Sequence, residues 1–207
     1  IETEILKQSS FFQNIIIDES QDFKNEWWKI VELSLEKQSS NMLIFNDNNQ
    51  KIYKDVFQDN NFFNDFKKIE LNQNFRNTLN IHLLVRNYYN GHSYKSNSIR
   101  GEKIKFLEED SENYDELLNN LLENLIIEND ISLEKISILN CDTVKSDDYA
   151  KFNSKIKFNL KKCDSNISNA ITYDSVYRYK GLENDVVIII NLSNKSNNIE
   201  LLYTALS

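Results

Sequence analysis

The chain has 207 residues with 3 Gly, no Pro, 2 Cys and a formal charge of -8, enough for one to two domains with a real core. Its glycines sit only at Gly91, Gly101 and Gly181, so neither a G-x-x-x-x-G-K-[ST] phosphate loop nor a G-x-G-x-x-G dinucleotide fingerprint can be written anywhere in it. Hydrophobic residues at 40% and aromatics at 12% exclude a disordered chain, and no apolar run approaches the ~20 residues of a membrane span.

A count of 31 Asn and 24 Ile reads as codon bias from an AT-rich genome and carries no functional weight. The pI near 4.9 argues against a generally basic surface, while leaving room for a local basic groove. Cys141 and Cys163 lack C-x-x-C spacing, and His82 and His92 lie far from both, so a zinc site is not expected. Two free thiols suit a reducing, cytoplasmic setting. The chain opens on Ile rather than Met and shows no signal or transit peptide, which reads as an excised fragment.

The elements alternate in type along the chain. Asn14 to Ile17 is a short apolar run expected to form a strand buried on both faces, and it ends in Asp18-Glu19. Phe23, Trp27, Ile30 and Val31 recur at helical spacing, predicting an amphipathic helix through about Lys37. Met42 to Phe45 is the next buried strand, followed by Asp47. Lys68 to Leu71 is expected as a short strand leading into Asn74-Phe75-Arg76.

Thr78 is placed to cap a helix carrying Ile81, Leu84, Val85 and Tyr88, stopped by Asn90-Gly91. Lys103 to Leu107 alternates like a strand. Tyr114, Leu117, Leu118, Leu121, Leu122 and Leu125 form the clearest helical stripe. Ile136 to Leu139 is a strand, Lys155 to Leu160 a weaker one, and Val186 to Ile190 an apolar run expected at the centre of a sheet. Ile199, Leu202, Tyr203 and Leu206 predict a final helix. Segments 46 to 66 and 90 to 102 read as long loops. The alternation implies an α/β fold whose parallel sheets carry helices on both faces, with ligands at the carboxyl ends of the strands.

Four strings carry chemistry. In Ile15-Ile16-Ile17-Asp18-Glu19-Ser20-Gln21-Asp22 a hydrophobic strand delivers two carboxylates, one able to bind a hard cation and the other to hold a water, as in a Walker B element. The same acids could simply favour the positive end of the next helix. In Asp47-Asn48-Asn49-Gln50-Lys51-Ile52-Tyr53, Gln50 offers an uncharged donor and acceptor suited to a phosphate oxygen or an attacking water, or is an ordinary loop residue. In Asn74-Phe75-Arg76-Asn77, Arg suits bidentate phosphate contact and Phe suits base stacking, and a surface Arg beside a core Phe explains the pair equally. In Ser175-Val176-Tyr177-Arg178-Tyr179-Lys180-Gly181-Leu182-Glu183 two cations, two tyrosines, a permissive Gly and a Glu could line a polynucleotide backbone and a ribose, or form a charged turn.

Taken in order, these strings resemble one family. IIIDESQDF looks like motif II, NDNNQKIY like motif III, LNQNFRN like motif IV, SVYRYKGLENDVVII like motif V and LLYTALS like the start of motif VI of UvrD/Rep-type superfamily 1 helicases. Five motifs in the right order, from about Phe12 to Ser207, are far more specific than any one alone.

The resemblance implies an ATP-dependent, DNA-binding helicase or single-strand translocase built on RecA-like lobes. Residues 1–66 would be the C-terminal part of lobe one and 67–207 lobe two. ATP and Mg2+ would be the cofactors, single-stranded DNA or RNA the track, a further N-terminal lobe the partner, and no membrane would be involved.

Asp18 would hold the Mg2+, Glu19 would orient the hydrolytic water, and Gln50 would read the γ-phosphate. Arg76 would contact that phosphate, with Phe75 against the adenine. Lys180 and Gly181 would turn the chain close to the nucleotide, and Glu183 would bind the ribose hydroxyls. Tyr53, Ser175, Tyr177 and Arg178 would face the nucleic acid.

The chain departs from the family at several positions. Asn46 replaces a Gly, Asp55 stands where a second aromatic is usual, leaving Phe57 or Tyr53 to stack, and Tyr177 replaces a His. Motif I has no counterpart and the motif VI Arg is not reached, so the chain alone is expected to be inactive. A helicase-like module without a motor, serving for docking or regulation, is the rival expectation, and a Mg2+-dependent phosphohydrolase around Asp18 and Glu19 ranks third.

Overall fold

Strand β1, Asn14–Ile17, and strand β2, Asn41–Ile44, lie parallel in a register that pairs Asn14 with Asn41 and Ile17 with Ile44. They are joined through helix α1, Asn25–Ser34, as a parallel pair requires. The computed structural model describes residues 11–36, 40–53, 64–91, 94–96, 99–107, 113–191 and 198–207. The chain divides into two units, Ile1–Asn72 and Gln73–Ser207, and it is a mixed α/β protein with parallel sheets.

In the first unit the strands are not buried on both faces, as their apolar runs suggest. Ile17 is buried, whereas Ile16 is 71% exposed and its register partner Leu43 is exposed with it. Among the described residues this sheet has two strands and one crossover helix, which covers one face. The helix is also rotated from the expected stripe. Trp28, rather than Trp27, enters the core at 2% exposure, and Trp27 sits outside with its ring edge-on to Phe23. Ser34 Oγ bonds the carbonyl of Ile30 at 2.7 Å, and the chain then turns extended so that Leu35 bridges Phe12. The expected helix end at Lys37 lies outside the described residues, as do Asp55, Phe57 and His92.

Lys68 to Leu71 forms no strand, and Ile69 and Leu71 are exposed. Pairing begins later, where β3, Gln73–Asn74, runs parallel to β4, Lys95–Ser96, inside the segment expected to be a loop. Lys103 to Leu107 is likewise not a strand: its alternation meets no neighbouring strand among the described residues.

Helix α2, Leu79–Val85, is shorter than its apolar pattern and gives way to a turn at Arg86. Thr78 is its N-cap residue but does not cap through its side chain, and its buried Oγ1 has no hydrogen-bond partner among the described residues. The first amides are satisfied from elsewhere. Leu79 N donates to Ile99 O at 2.6 Å and Asn80 N to Arg100 O at 3.2 Å, while Asn80 Nδ2 reaches the carbonyls of Gly101 and Glu102. Gly101 is therefore more than punctuation. Its φ is +65, and a Cβ there would fall 2.4 Å from Thr78 Cγ2.

The second unit is organised by a four-stranded parallel sheet in the order β6-β7-β5-β8, with β5 at Ile136–Asn140, β6 at Leu160–Lys161, β7 at Ile171–Ser175 and β8 at Val186–Ile190. Of the weak strand expected over Lys155 to Leu160 only its end pairs. The apolar run Val186 to Ile190 lies at the sheet edge rather than its centre, pairing with β5 alone among the described residues. The centre belongs to β5 and to β7, whose Thr172, Asp174 and Ser175 disguise it in the sequence. Every residue of both strands is buried.

Ile136 and Ile138 pack with Leu118 and Leu122 of helix α3, Tyr114–Glu123, and with Tyr173 of β7. Phe152, from helix α4, Ser146–Asn153, stacks on Tyr173 with ring centroids 4.1 Å apart. Ser137, of opposite parity, bonds the hydroxyl of Tyr179 at 3.0 Å. A π-helical turn, Asn124–Glu128, extends α3 beyond what its stripe suggests. After β7 the short helix α5, Val176–Tyr179, follows directly, and helix α6, Ile199–Leu206, closes the chain. It buries Leu201, Leu202, Tyr203 and Ala205, leaving Ile199 outside. No helix of the described residues is long and apolar enough to cross a membrane.

Candidate functional site

In the first unit the parallel register of β1 and β2 sets two of the chemically suggestive strings side by side. Ile17 pairs with Ile44, so Asp18-Glu19 and Phe45-Asn46-Asp47 leave the same end of neighbouring strands. The two loops are bonded to each other. Ser20 N donates to Phe45 O at 3.0 Å, Ser20 Oγ lies 3.4 Å from Asn46 Oδ1, and Asp47 N donates to Gln21 Oε1 at 3.0 Å.

Glu19 takes the left-handed conformation, φ 51 and ψ 40, unusual for a residue with a Cβ. Its backbone amide donates to Asp18 Oδ1 at 2.9 Å, and its Oε2 accepts from Gln21 Nε2 at 2.5 Å. Positive φ thus falls on Glu19, not on Asn46. Asp18 is exposed and Glu19 half-buried.

Asp47 opens a short 3-10 turn, Asn48–Gln50, by accepting from Asn49 N at 2.9 Å. Gln50 N returns to Asp47 O at 3.1 Å, leaving Gln50 half-buried on this turn and Tyr53 exposed just beyond it. Among the described residues no group of three His, Cys, Asp or Glu side chains is arranged to hold a metal ion.

In the second unit the strings resembling motifs IV and V converge. Asn74 Oδ1 accepts from the amides of Arg76 and Asn77 at 2.9 and 3.0 Å, a side-chain turn that lifts Phe75 and Arg76 off the end of β3. Arg76 Nε then meets Glu183 Oε2 at 2.9 Å. Phe75 is 73% exposed, so it is not a core residue. Asn77 Nδ2 bonds the carbonyl of Ser207 at 2.9 Å, tying this turn to the end of α6.

Ser175, at the end of β7, is buried, and Tyr177 is half-buried. Arg178 is held by two carboxylates, Asp164 Oδ2 at 2.7 Å and Asp174 Oδ2 at 3.4 Å, which keep its guanidinium above its usual pKa, with Asp174 the larger influence. Lys180 and the turn at Gly181 follow, where Leu182 N bonds Tyr179 O at 2.9 Å. Gly181 has φ +83, but a Cβ added there would meet nothing within 4 Å, so backbone conformation rather than close approach requires glycine at this turn.

Two residues carry this geometry without a role that the sequence suggests. Gln21 stands two places after Glu19, and its only sequence signal is an amide in a string otherwise noted for its acids. Asp174, 1% exposed, accepts from Ser175 N at 2.9 Å, Cys163 N at 3.3 Å and Cys163 Sγ at 3.1 Å. Burial, then the Asp174 contact, pushes the Cys163 thiol up from its usual pKa. Both cysteines are free thiols. No protein-family model matches the chain, and no curated protein matches it.

Proposed function

We propose that the protein carrying this chain is an ATP-dependent nucleic-acid helicase or single-strand translocase of the UvrD/Rep type, with single-stranded DNA or RNA as its track. One observation above the others supports this: the strings resembling motifs II and III end adjacent parallel strands and are bonded to each other through Gln21. Residues 1–66 are read as part of a first RecA-like lobe and 67–207 as a second.

The exposed Asp18 carboxylate suits Mg2+, a hard cation that takes one or two protein oxygens and completes its shell with phosphate and water. When bound with ATP, Mg2+ offsets phosphate charge. Glu19 orients the attacking water and accepts its proton, while Gln50 senses the terminal phosphate by hydrogen bonding.

Arg76 and Phe75 meet the phosphate and the base, and Glu183 takes the ribose hydroxyls beside Lys180 and Gly181. Tyr53 and Tyr177 carry the contacts to the strand. Ser175 is buried and Arg178 is held by carboxylates, so both act there as supports.

The test is Glu19→Gln in the intact protein. Loss of a general base costs roughly 100-fold or more in turnover, so strand-stimulated ATP hydrolysis should fall by at least that factor while nucleotide binding persists. Undiminished turnover in this variant removes Glu19 from the role.

A further inference from the structure

Gln21 is 5% exposed, yet its side chain carries one acidic partner and one backbone partner from different strand ends. The chemistry of those partners fixes the orientation of its amide. A Glu19 carboxylate oxygen can only accept, so the Gln21 nitrogen faces it, and the Asp47 N–H can only donate, so the Gln21 oxygen faces that. The bond to Glu19 is charge-assisted and at 2.5 Å is short, and it lies in a part-buried setting where such bonds hold geometry most firmly.

On the other side, the same Asp47 closes the turn that carries Gln50: its side chain accepts from Asn49 N and its carbonyl from Gln50 N. A single amide therefore joins the carboxylate of Glu19 to the turn that presents Gln50. Glu19 itself is held in a left-handed backbone conformation, and the bond from Gln21 Nε2 helps to fix where its Oε2 lies.

We infer that Gln21 is a positioning residue that couples the orientation of the Glu19 carboxylate to the state of the Asp47–Gln50 turn. The inference rests on the proposed function for its meaning: a change at Gln50 when the terminal phosphate leaves would reach Glu19 through Gln21, readying or disarming the base. The coupling itself is a property of the chain without nucleotide. Val or Leu at this position would fill the same space and remove both Gln21 bonds while leaving those of Ser20 to Phe45 and Asn46 in place.

The experiment is a shift cycle by NMR on the uniformly 15N-labelled 207-residue chain. Glu19→Gln neutralises the group that Gln21 holds and should move the Gln21 side-chain amide together with the backbone amides of Asp47 and Gln50. In a Gln21→Met background, close in shape but without the amide, the response at Asp47 and Gln50 should be lost. Gln21→Asn keeps an amide but is one methylene short, and it provides the same comparison if the Met variant does not fold. An unchanged Asp47 and Gln50 response in either folded background overturns the inference. No nucleotide is present in this measurement, so its failure is read separately from a failure of the ATPase test.

Discussion

Arg76 Nε and Glu183 Oε2 meet at 2.9 Å although they stand 107 residues apart in the second unit's sequence. Both side chains are more than half exposed, at 56% and 70%. In such a setting an ion pair gains little over hydration, typically about 0.2–1 kcal/mol. Under the proposed function such a pair would open readily to a ligand that offers Arg76 a phosphate and Glu183 a pair of hydroxyls.

Alanine at either position is expected to change the unfolding free energy by less than about 1 kcal/mol, with a coupling between the two that fades as salt is raised. Urea denaturation of Arg76→Ala, Glu183→Ala and the double variant, at low and high salt, checks this. Under the proposed function each single variant nonetheless loses ATP turnover in the intact protein. A salt-insensitive coupling well above about 1 kcal/mol would mark the pair as a structural fastening instead.

Glu19 gives a second, sharper contrast. Its left-handed backbone costs an L-residue about 1–2 kcal/mol, a strain absent for glycine. Glu19→Ala and Glu19→Gly both remove the carboxylate bonded to Gln21, so comparing them cancels that loss. The Gly variant should be the more stable of the two by about 1 kcal/mol. Both tryptophans, Trp27 and Trp28, lie in the first unit, so tryptophan fluorescence during denaturation reports it selectively. An Ala variant as stable as the Gly variant would show that the strain is not carried at Glu19.

The acidic strand end is legible in the sequence because Ile15 to Ile17 is unbroken and Asp18-Glu19 follows at once. The helix over Tyr114 to Glu123 is equally plain, since apolar residues repeat there at helical spacing. What stays hidden is hidden for physical reasons. β7 reads as polar because Thr172, Asp174 and Ser175 are satisfied inside the fold rather than solvated, and no periodicity rule sees that. With β7 disguised, the apolar run of β8 takes the central place in a reading of the sequence alone.

Trp27 and Trp28 exchange places because adjacent aromatics fit the same stripe, and only packing decides which enters. Lys103 to Leu107 alternates like a strand, but alternation needs a partner strand and finds none among the described residues. At the site, residue types are legible from their chemistry. Which of them touch is not, because the link through Gln21 and the pair Arg76–Glu183 depend on register and on chain segments far apart.

The environment of Cys163 makes the second unit sensitive to alkaline pH. Burial first, and then the hydrogen bond and charge of Asp174, raise the thiol from its usual value of 9.0, while Arg178 pulls the other way. Burial also raises the phenols of Tyr149, Tyr173 and Tyr179 from 10.0. A raised pKa in the folded state means that the fold holds the proton more tightly than the unfolded chain does. The associated stability is complete below the unfolded value and is lost as pH rises through the folded one. Above the imidazole range, where the lowered pKa of buried His82 no longer acts, melting temperature should therefore hold steady up to about pH 9 and decline above it.

Asp174→Asn removes the negative charge beside the thiol, so Cys163 should form its thiolate at lower pH and react faster with iodoacetamide. Cys141 is fully buried and serves as the internal control for general opening of the fold. Faster labelling of Cys163 relative to Cys141 in the variant would confirm that Asp174 holds the thiol protonated, and equal acceleration of both would show that the substitution only loosens the unit.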